Sequence, residues 1–191
     1  RAVPGLGGVP VAARDRPRGV TDAAAPVIGP GSLIQGTLPA DRRWRSLARV
    51  RRLEAVVLTA SGDALVHYHR DQTRPDRPWV RGETITAEAV GPGAVAQLPA
   101  RPCAPGELHV LVPEAGAVLG HHVRRLERGH AWRWRRLGTL AGSTPELAVD
   151  GGRLRARVVR DGVQVALAWD GDAWRPSDWP VGGALPLGVH Q

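Results

Sequence analysis

The chain has 191 residues and 42% hydrophobic content, enough to bury a core, which excludes a disordered tail. Its 26 basic residues, read as arginine, stand against 18 acidic ones and give a net charge of +8, a balance that favours anionic partners without selecting one. A coding bias toward Arg, Ala, Gly and Pro also accounts for that balance and for the absence of Met and Phe.

In chain order, residues 1–28 are rich in Pro, Gly and Ala and carry no sustained period of 2 or 3.6, which predicts an extended arm or an added edge strand. No apolar run has the length of a membrane-spanning helix, and no charged-then-apolar leader opens the chain, so a soluble protein is expected. Because the chain begins at Arg1 and has no Met, an initiating segment is expected to be missing, with a removed signal peptide as one reading.

Self-similarity begins at residue 29. "GPGSLIQ" at Gly29–Gln35 returns as "GPGAVAQ" at Gly91–Gln97, and "LEAVVLTASGDALVHYHRD" at Leu53–Asp71 is answered by "LHVLVPEAGAVLGHHVRR" at Leu108–Arg125. A more divergent copy, "LRARVVRDGVQVALAWD", runs from Leu154 to Asp170. Each copy joins two β-branched or apolar runs through a turn at Ser61-Gly62-Asp63, Ala115-Gly116 or Asp161-Gly162, where glycine admits positive φ without steric cost. Each is therefore predicted to be an antiparallel hairpin followed by a tryptophan-bearing stretch: Trp79 in the first, Trp132 and Trp134 in the second, Trp174 and Trp179 in the third. The segment 41–55 fits a helical face at Trp44, Leu47, Val50 and Leu53, but its place in the repeat predicts a loop leading into a strand. The expected fold is all-β: a propeller-like array of about three four-stranded blades over residues 29–90, 91–140 and 141–180, with residues 181–191 as a tail or closing strand.

The segments "GSLIQG", "LEAVVLTASGDALVHYHRDQ" and "RPWVRG" resemble the repeats of bacterial lectin-like β-propellers, in particular those of actinobacterial secreted proteins related to tectonin-type and fucose-binding lectins. The resemblance spans roughly residues 29–180 and is strongest over 29–97. It implies a non-catalytic module that binds glycans or cell-surface polysaccharide outside the cell. The chain departs from that pattern at His69, where those repeats usually carry Trp, and in the second and third copies, which read "GHHVRR" and lack the His-Tyr pair respectively. Three blades fall short of a closed ring, which predicts that another chain or another copy completes it.

The densest polar and aromatic cluster is His67, Tyr68, His69, Arg70 and Asp71. On a strand, His67 and His69 share one face while Tyr68 and Arg70 take the other. His67, Tyr68, His69 and Arg70, with Trp79, are the candidate sugar ligands, since sugar C–H faces stack on rings and hydroxyls need fixed donors and acceptors. The plainer account is that Tyr68 packs between blades, the Arg70-Asp71 pair closes a turn and the tryptophans fill blade junctions. His67, His69, His121 and His122 lack a carboxylate or Cys at a recognised spacing, so no metal or other cofactor is expected. Arginine clusters at 42–45, 49–52 and 133–136, with Trp nearby, suit anionic polymers; their spread through all units and the lack of a nucleic-acid fold signature argue against nucleic acid. Cys103 cannot form an intrachain disulfide and lies in "RPCAP" with no evident base, and no nucleophile elbow, phosphate loop or zinc-protease motif is present, so catalysis is not expected. A structural or adaptor module with a protein partner is the alternative to the lectin reading.

Overall fold

The computed structural model describes residues 31–38, 50–73, 76, 78–100, 106–126 and 133–180. The arm at 1–28, most of the 41–55 segment, Cys103, Trp132 and the tail at 181–191 lie outside the described residues. Within them the chain forms three four-stranded antiparallel sheets, each a meander in sequence order, as the repeats predict. The first comprises β1 (Gly31–Leu38), β2 (Val50–Leu58), β3 (Leu65–Asp71) and β4 (Val80–Thr86). The second comprises β5 (Ala94–Leu98), β6 (Glu107–Glu114), β7 (Val118–Arg125) and β8 (Arg135–Ala141). The third comprises β9 (Ser143–Asp150), β10 (Arg153–Arg160), β11 (Val163–Trp169) and β12 (Trp174–Pro176). Among the described residues no helix is long and apolar enough to cross a membrane.

The hairpin turns take the conformations that their sequences favour. Gly62, Gly116 and Gly162 have φ of 76°, 84° and 77°, and Asp161 joins Gly162 in the left-handed region to give the two-residue turn between β10 and β11. The repeated Gly-Pro-Gly is explained by its second glycine: a Cβ on Gly31 would lie 2.6 Å from the Val56 carbonyl oxygen, and one on Gly93 would lie 2.7 Å from Leu65 Cδ2. At Gly31 the obstacle is backbone and a side chain would have to displace the neighbouring strand, whereas at Gly93 it is the end of the Leu65 side chain, with the Leu111 carbonyl oxygen at 3.0 Å.

The sheets stack face to face like successive blades. Val56, Leu65, Ile85, Val95, Leu108, Val110 and Val112 fill the space between the first and second sheets. Ala94, Leu111, Leu119, Leu147, Leu154, Val158 and Leu167 fill the space between the second and third. The second sheet is thus covered on both sides, and β6 and β7 are buried along nearly their whole length. The first strands of the three sheets adjoin, β1 against β5 and β5 against β9, and the backbone N–H of Val95 donates to Ser32 Oγ at 3.3 Å. Inner strands converging on one line, with outer strands splayed away, give the radial arrangement of propeller blades.

Candidate functional site

Strand register makes the two junctions between sheets comparable residue by residue. Val56 pairs with His67 and Glu54 with His69 in the first sheet, as Leu111 pairs with His121 and His109 with Val123 in the second. His67 and His121 therefore occupy one position, and Glu54 and His109 another. Trp79 and Trp134 immediately precede Val80 and Arg135, the partners of His69 and Val123, while Trp174 pairs directly with Trp169. That register puts Trp79, Trp134 and Trp174 in one position, opposite Arg70, Arg124 and Trp169.

At the first junction a buried polar chain crosses from sheet to sheet. His67 Nε2 lies 2.7 Å from Glu54 Oε2, and Nη1 of Arg124, from the second sheet, lies 2.9 Å from His67 Nδ1. A guanidinium can only donate, so Nδ1 is the acceptor, the imidazole proton sits on Nε2, and that proton is given to the Glu54 carboxylate. His67 is then neutral and bridges a buried carboxylate to a buried cation. Burial lowers the Arg124 pKa from its usual value, with Glu54 opposing the shift. His69 stacks on His67 at 5.7 Å, and the Trp134 ring meets His67 edge-on at 5.6 Å. Burial, followed by repulsion from Arg52, holds His69 down to a pKa of about 4. The outer strand passes so near that a Cβ on Gly82 would lie 2.6 Å from His67 Nδ1.

Glu54, His67 and His69 each offer a ligand atom, and these atoms all lie within 4.8 Å of one another, the group among the described residues best placed to hold a metal ion. Arg124 argues against it. An imidazole bound to metal through Nε2 carries a proton on Nδ1 and needs an acceptor there, whereas Arg124 brings a donor and a positive charge.

The second junction repeats the layout with different chemistry. The indole N–H of Trp174 donates to His121 Nδ1 at 3.3 Å, and His121 Nε2 lies 3.0 Å from His109 Nδ1. Since the indole can only donate, the His121 proton sits on Nε2 and is given to His109 Nδ1, leaving the N–H of His109 on Nε2, 3.4 Å from Glu107 Oε2 and without a hydrogen bond. Burial, then the neighbouring His109, lowers the His121 pKa to about 3, so this ring is neutral. Trp169 stands edge-on to His121 at 4.6 Å and tilts against Trp174 at 5.5 Å.

Beside this histidine chain a cleft of about 950 Å³ opens between the second and third sheets. His109 and Val123 line it from one sheet, and Leu154 and Trp169 from the other. Its rim includes the Gly151-Gly152 turn, where φ is 55° and 73°, and Gly171 at 108°. The space around the Cβ positions of Gly151 and Gly171 is open, so a ligand can approach bare backbone there. In the second sheet the matching connection between its first two strands occupies residues 99–106; in the third it is only Gly151-Gly152.

The five residues singled out in the sequence divide as strand alternation requires. His67 and His69 face the second sheet, with His67 fully buried in the Glu54–Arg124 bridge. Tyr68 and Arg70 lie on the opposite, outer face of the first sheet, and Trp79 is 39% exposed. The sheet thus separates Tyr68 and Arg70 from the two histidines. Trp179 is packed under the Arg157 guanidinium, 4.6 Å from its ring centroid. Glu54, Arg124 and Trp169 were not singled out from sequence; the available signal was the hairpin alignment that puts Arg70, Arg124 and Trp169 in register.

No family model and no curated protein matches the sequence. Among solved structures the fold is similar to that of a fucose lectin from Kordia zhangzhouensis in complex with methyl-fucoside. The TM-score is 0.55 at 17% identity, covering 78% of this chain and 99% of that one. At that identity the likeness is one of fold: a lectin-like, all-β arrangement of blades.

Proposed function

We infer that the chain is a non-catalytic carbohydrate-binding module acting at cell surfaces, outside the cell, with its glycan seated in the cleft between the second and third sheets. The observation that carries this reading is the cleft itself: an indole wall at Trp169, open glycine backbone at its rim, and imidazole, carboxylate and guanidinium groups at His109, Glu107 and Arg125. A sugar needs an apolar plate for its C–H face and fixed polar partners for its hydroxyls. The lectin-like fold supports the reading. So do the histidines, since Trp174 and the rings themselves occupy both nitrogens of His121 and Nδ1 of His109, while His109 Nε2, buried without a hydrogen bond, lies 3.4 Å from Glu107 Oε2.

The candidate ligands Trp79, Tyr68 and Arg70 fit the same scheme as half of a further junction. They hold the register positions of Trp134, His122 and Arg124, which the second sheet presents to the first. A second copy whose third sheet docks on this outer face would supply the other half and bring the sheets to six, inside the range of about four to eight for closed propellers. Leu33 and Trp79, exposed at 58% and 39%, lie on that outer face and would be covered by it.

The test is a glycan array read with the wild-type chain and Trp169→Leu, alongside the solution mass. Selective glycan binding that weakens in Trp169→Leu, with a mass of two copies, is expected; silence across diverse glycans overturns the reading. A structural adaptor is the second reading, favoured by the same exposed Leu33 and Trp79. It requires a co-purifying protein partner that no sugar displaces.

A further inference from the structure

The charges around the cleft do not cancel. Four arginines, Arg125, Arg135, Arg153 and Arg175, line it against two carboxylates, Glu107 and Asp170. Both carboxylates are already engaged. Glu107 accepts from Arg125 Nε at 3.2 Å and faces His109. Asp170 accepts from the backbone N–H groups of Asp172 and Ala173 at 2.9 and 2.7 Å and from Arg175 Nε at 3.0 Å. These contacts hold both acids below their usual pKa, His109 being the largest cause at Glu107 and the Ala173 N–H at Asp170, which falls to about 2. Neither acid is available to a second cation.

Arg135 and Arg153 remain. Arg135 opens β8 in the second sheet, and Arg153 follows the Gly151-Gly152 turn in the third, so one arginine from each sheet lines the cleft. Both are exposed, and among the described residues neither has an acid within ion-pair distance; Asp150, the cross-strand partner of Arg153, is held by Arg155 Nε at 3.0 Å. The turn beside Arg153 carries no side chain to screen it. Two uncompensated guanidinium groups beside an indole wall suit a ring that bears an anionic group, because a guanidinium offers paired N–H donors matched to carboxylate and sulfate oxygens.

We propose that the cleft is selective for anionic glycans, sugars bearing a carboxylate or a sulfate ester, with Arg135 and Arg153 receiving the charged group while the ring lies against Trp169. The proposal rests on the glycan-binding reading above and narrows its ligand class. The overall charge of +8 adds long-range attraction for such a ligand.

The experiment is an array that pairs uronate- and sialate-bearing glycans with their carboxyl-reduced counterparts, adds sulfated versions of the neutral partners, and includes a single-stranded DNA oligonucleotide. The expected result is that acidic glycans bind about tenfold or more tightly than their reduced partners, a preference that shrinks as salt rises from about 50 to about 500 mM. In the folded double variant Arg135→Gln/Arg153→Gln the ratio falls to within about twofold of unity, whereas Arg81→Gln, on the first sheet, retains it. Preference for sulfated over carboxylated partners supports the same proposal and identifies the group. Equal binding of acidic and reduced partners overturns the proposal and leaves the glycan reading standing. Absence of binding to every glycan removes both. DNA bound more tightly than any glycan overturns the proposal in favour of nucleic acid.

Discussion

Arg124 Nη1 approaches His67 Nδ1 at 2.9 Å across the boundary between two sheets, and the far side of the same imidazole holds Glu54 at 2.7 Å. The bridge is a buried ion pair with a neutral ring between its ends, and each end depends on the other. Arg124→Leu should therefore cost about 3–5 kcal/mol, because Glu54 is left buried without its countercharge. Glu54→Leu/Arg124→Leu should recover much of that loss, since an apolar pair of similar shape tolerates burial. Urea denaturation of the two variants measures both; equal losses would show that the bridge is not coupled.

Acid should loosen the protein well above the range in which its carboxylates protonate. Burial holds His69 and His122 to about 4 and His121 to about 3, against 6.5 in an unfolded chain. Below pH 6.5 the unfolded state binds protons that the folded state refuses, so stability falls as pH drops and keeps falling until it reaches those folded values. Each histidine contributes a slope of up to about 1.4 kcal/mol per pH unit in that window. A melting temperature that declines from pH 7 to pH 5 is expected; a flat profile there would contradict the buried, neutral state of these rings.

Two glycines of the outer strands give opposite expectations. Gly82→Ala forces a methyl group to within 2.6 Å of His67 Nδ1, where Arg124 already sits, and should destabilise by about 1–3 kcal/mol. Gly138→Ala in β8 meets open space and should be neutral or stabilise by up to about 1 kcal/mol, since alanine reduces the entropy of the unfolded chain. Thermal melts of the pair provide the comparison.

The β10–β11 turn supplies a local control. Gly162 has φ of 77°, so Gly162→Ala should cost about 1–2 kcal/mol, and Gly162→Asn should cost less because asparagine tolerates the left-handed region better. Neither change should alter glycan binding at the cleft, which can be measured on the same array.

The three sheets were legible because their signals are local: a β-branched run, a glycine where φ turns positive, a second run. The separation of Tyr68 and Arg70 from His67 and His69 also followed from a strand's period of two. Which face would be covered did not, because it depends on residues far away in sequence; Arg124 lies 57 positions beyond His67. Trp169 is not marked by the sequence because it ends a hairpin instead of following one, and although Arg135 belongs to the 133–136 cluster, nothing in the sequence joins it to Arg153 until the fold sets both beside one cleft.

Each sheet is one uninterrupted stretch of chain, and that sets an order of events during synthesis. The first meander is complete by Thr86, before the strands that cover it exist. Until Arg124 leaves the ribosome, Glu54 and His67 have no cation to meet, and the apolar face around Val56 and Leu65 has nothing to rest on. A nascent chain paused between these points presents a half-finished surface rich in unsatisfied groups, the state in which a holding chaperone has most to grip.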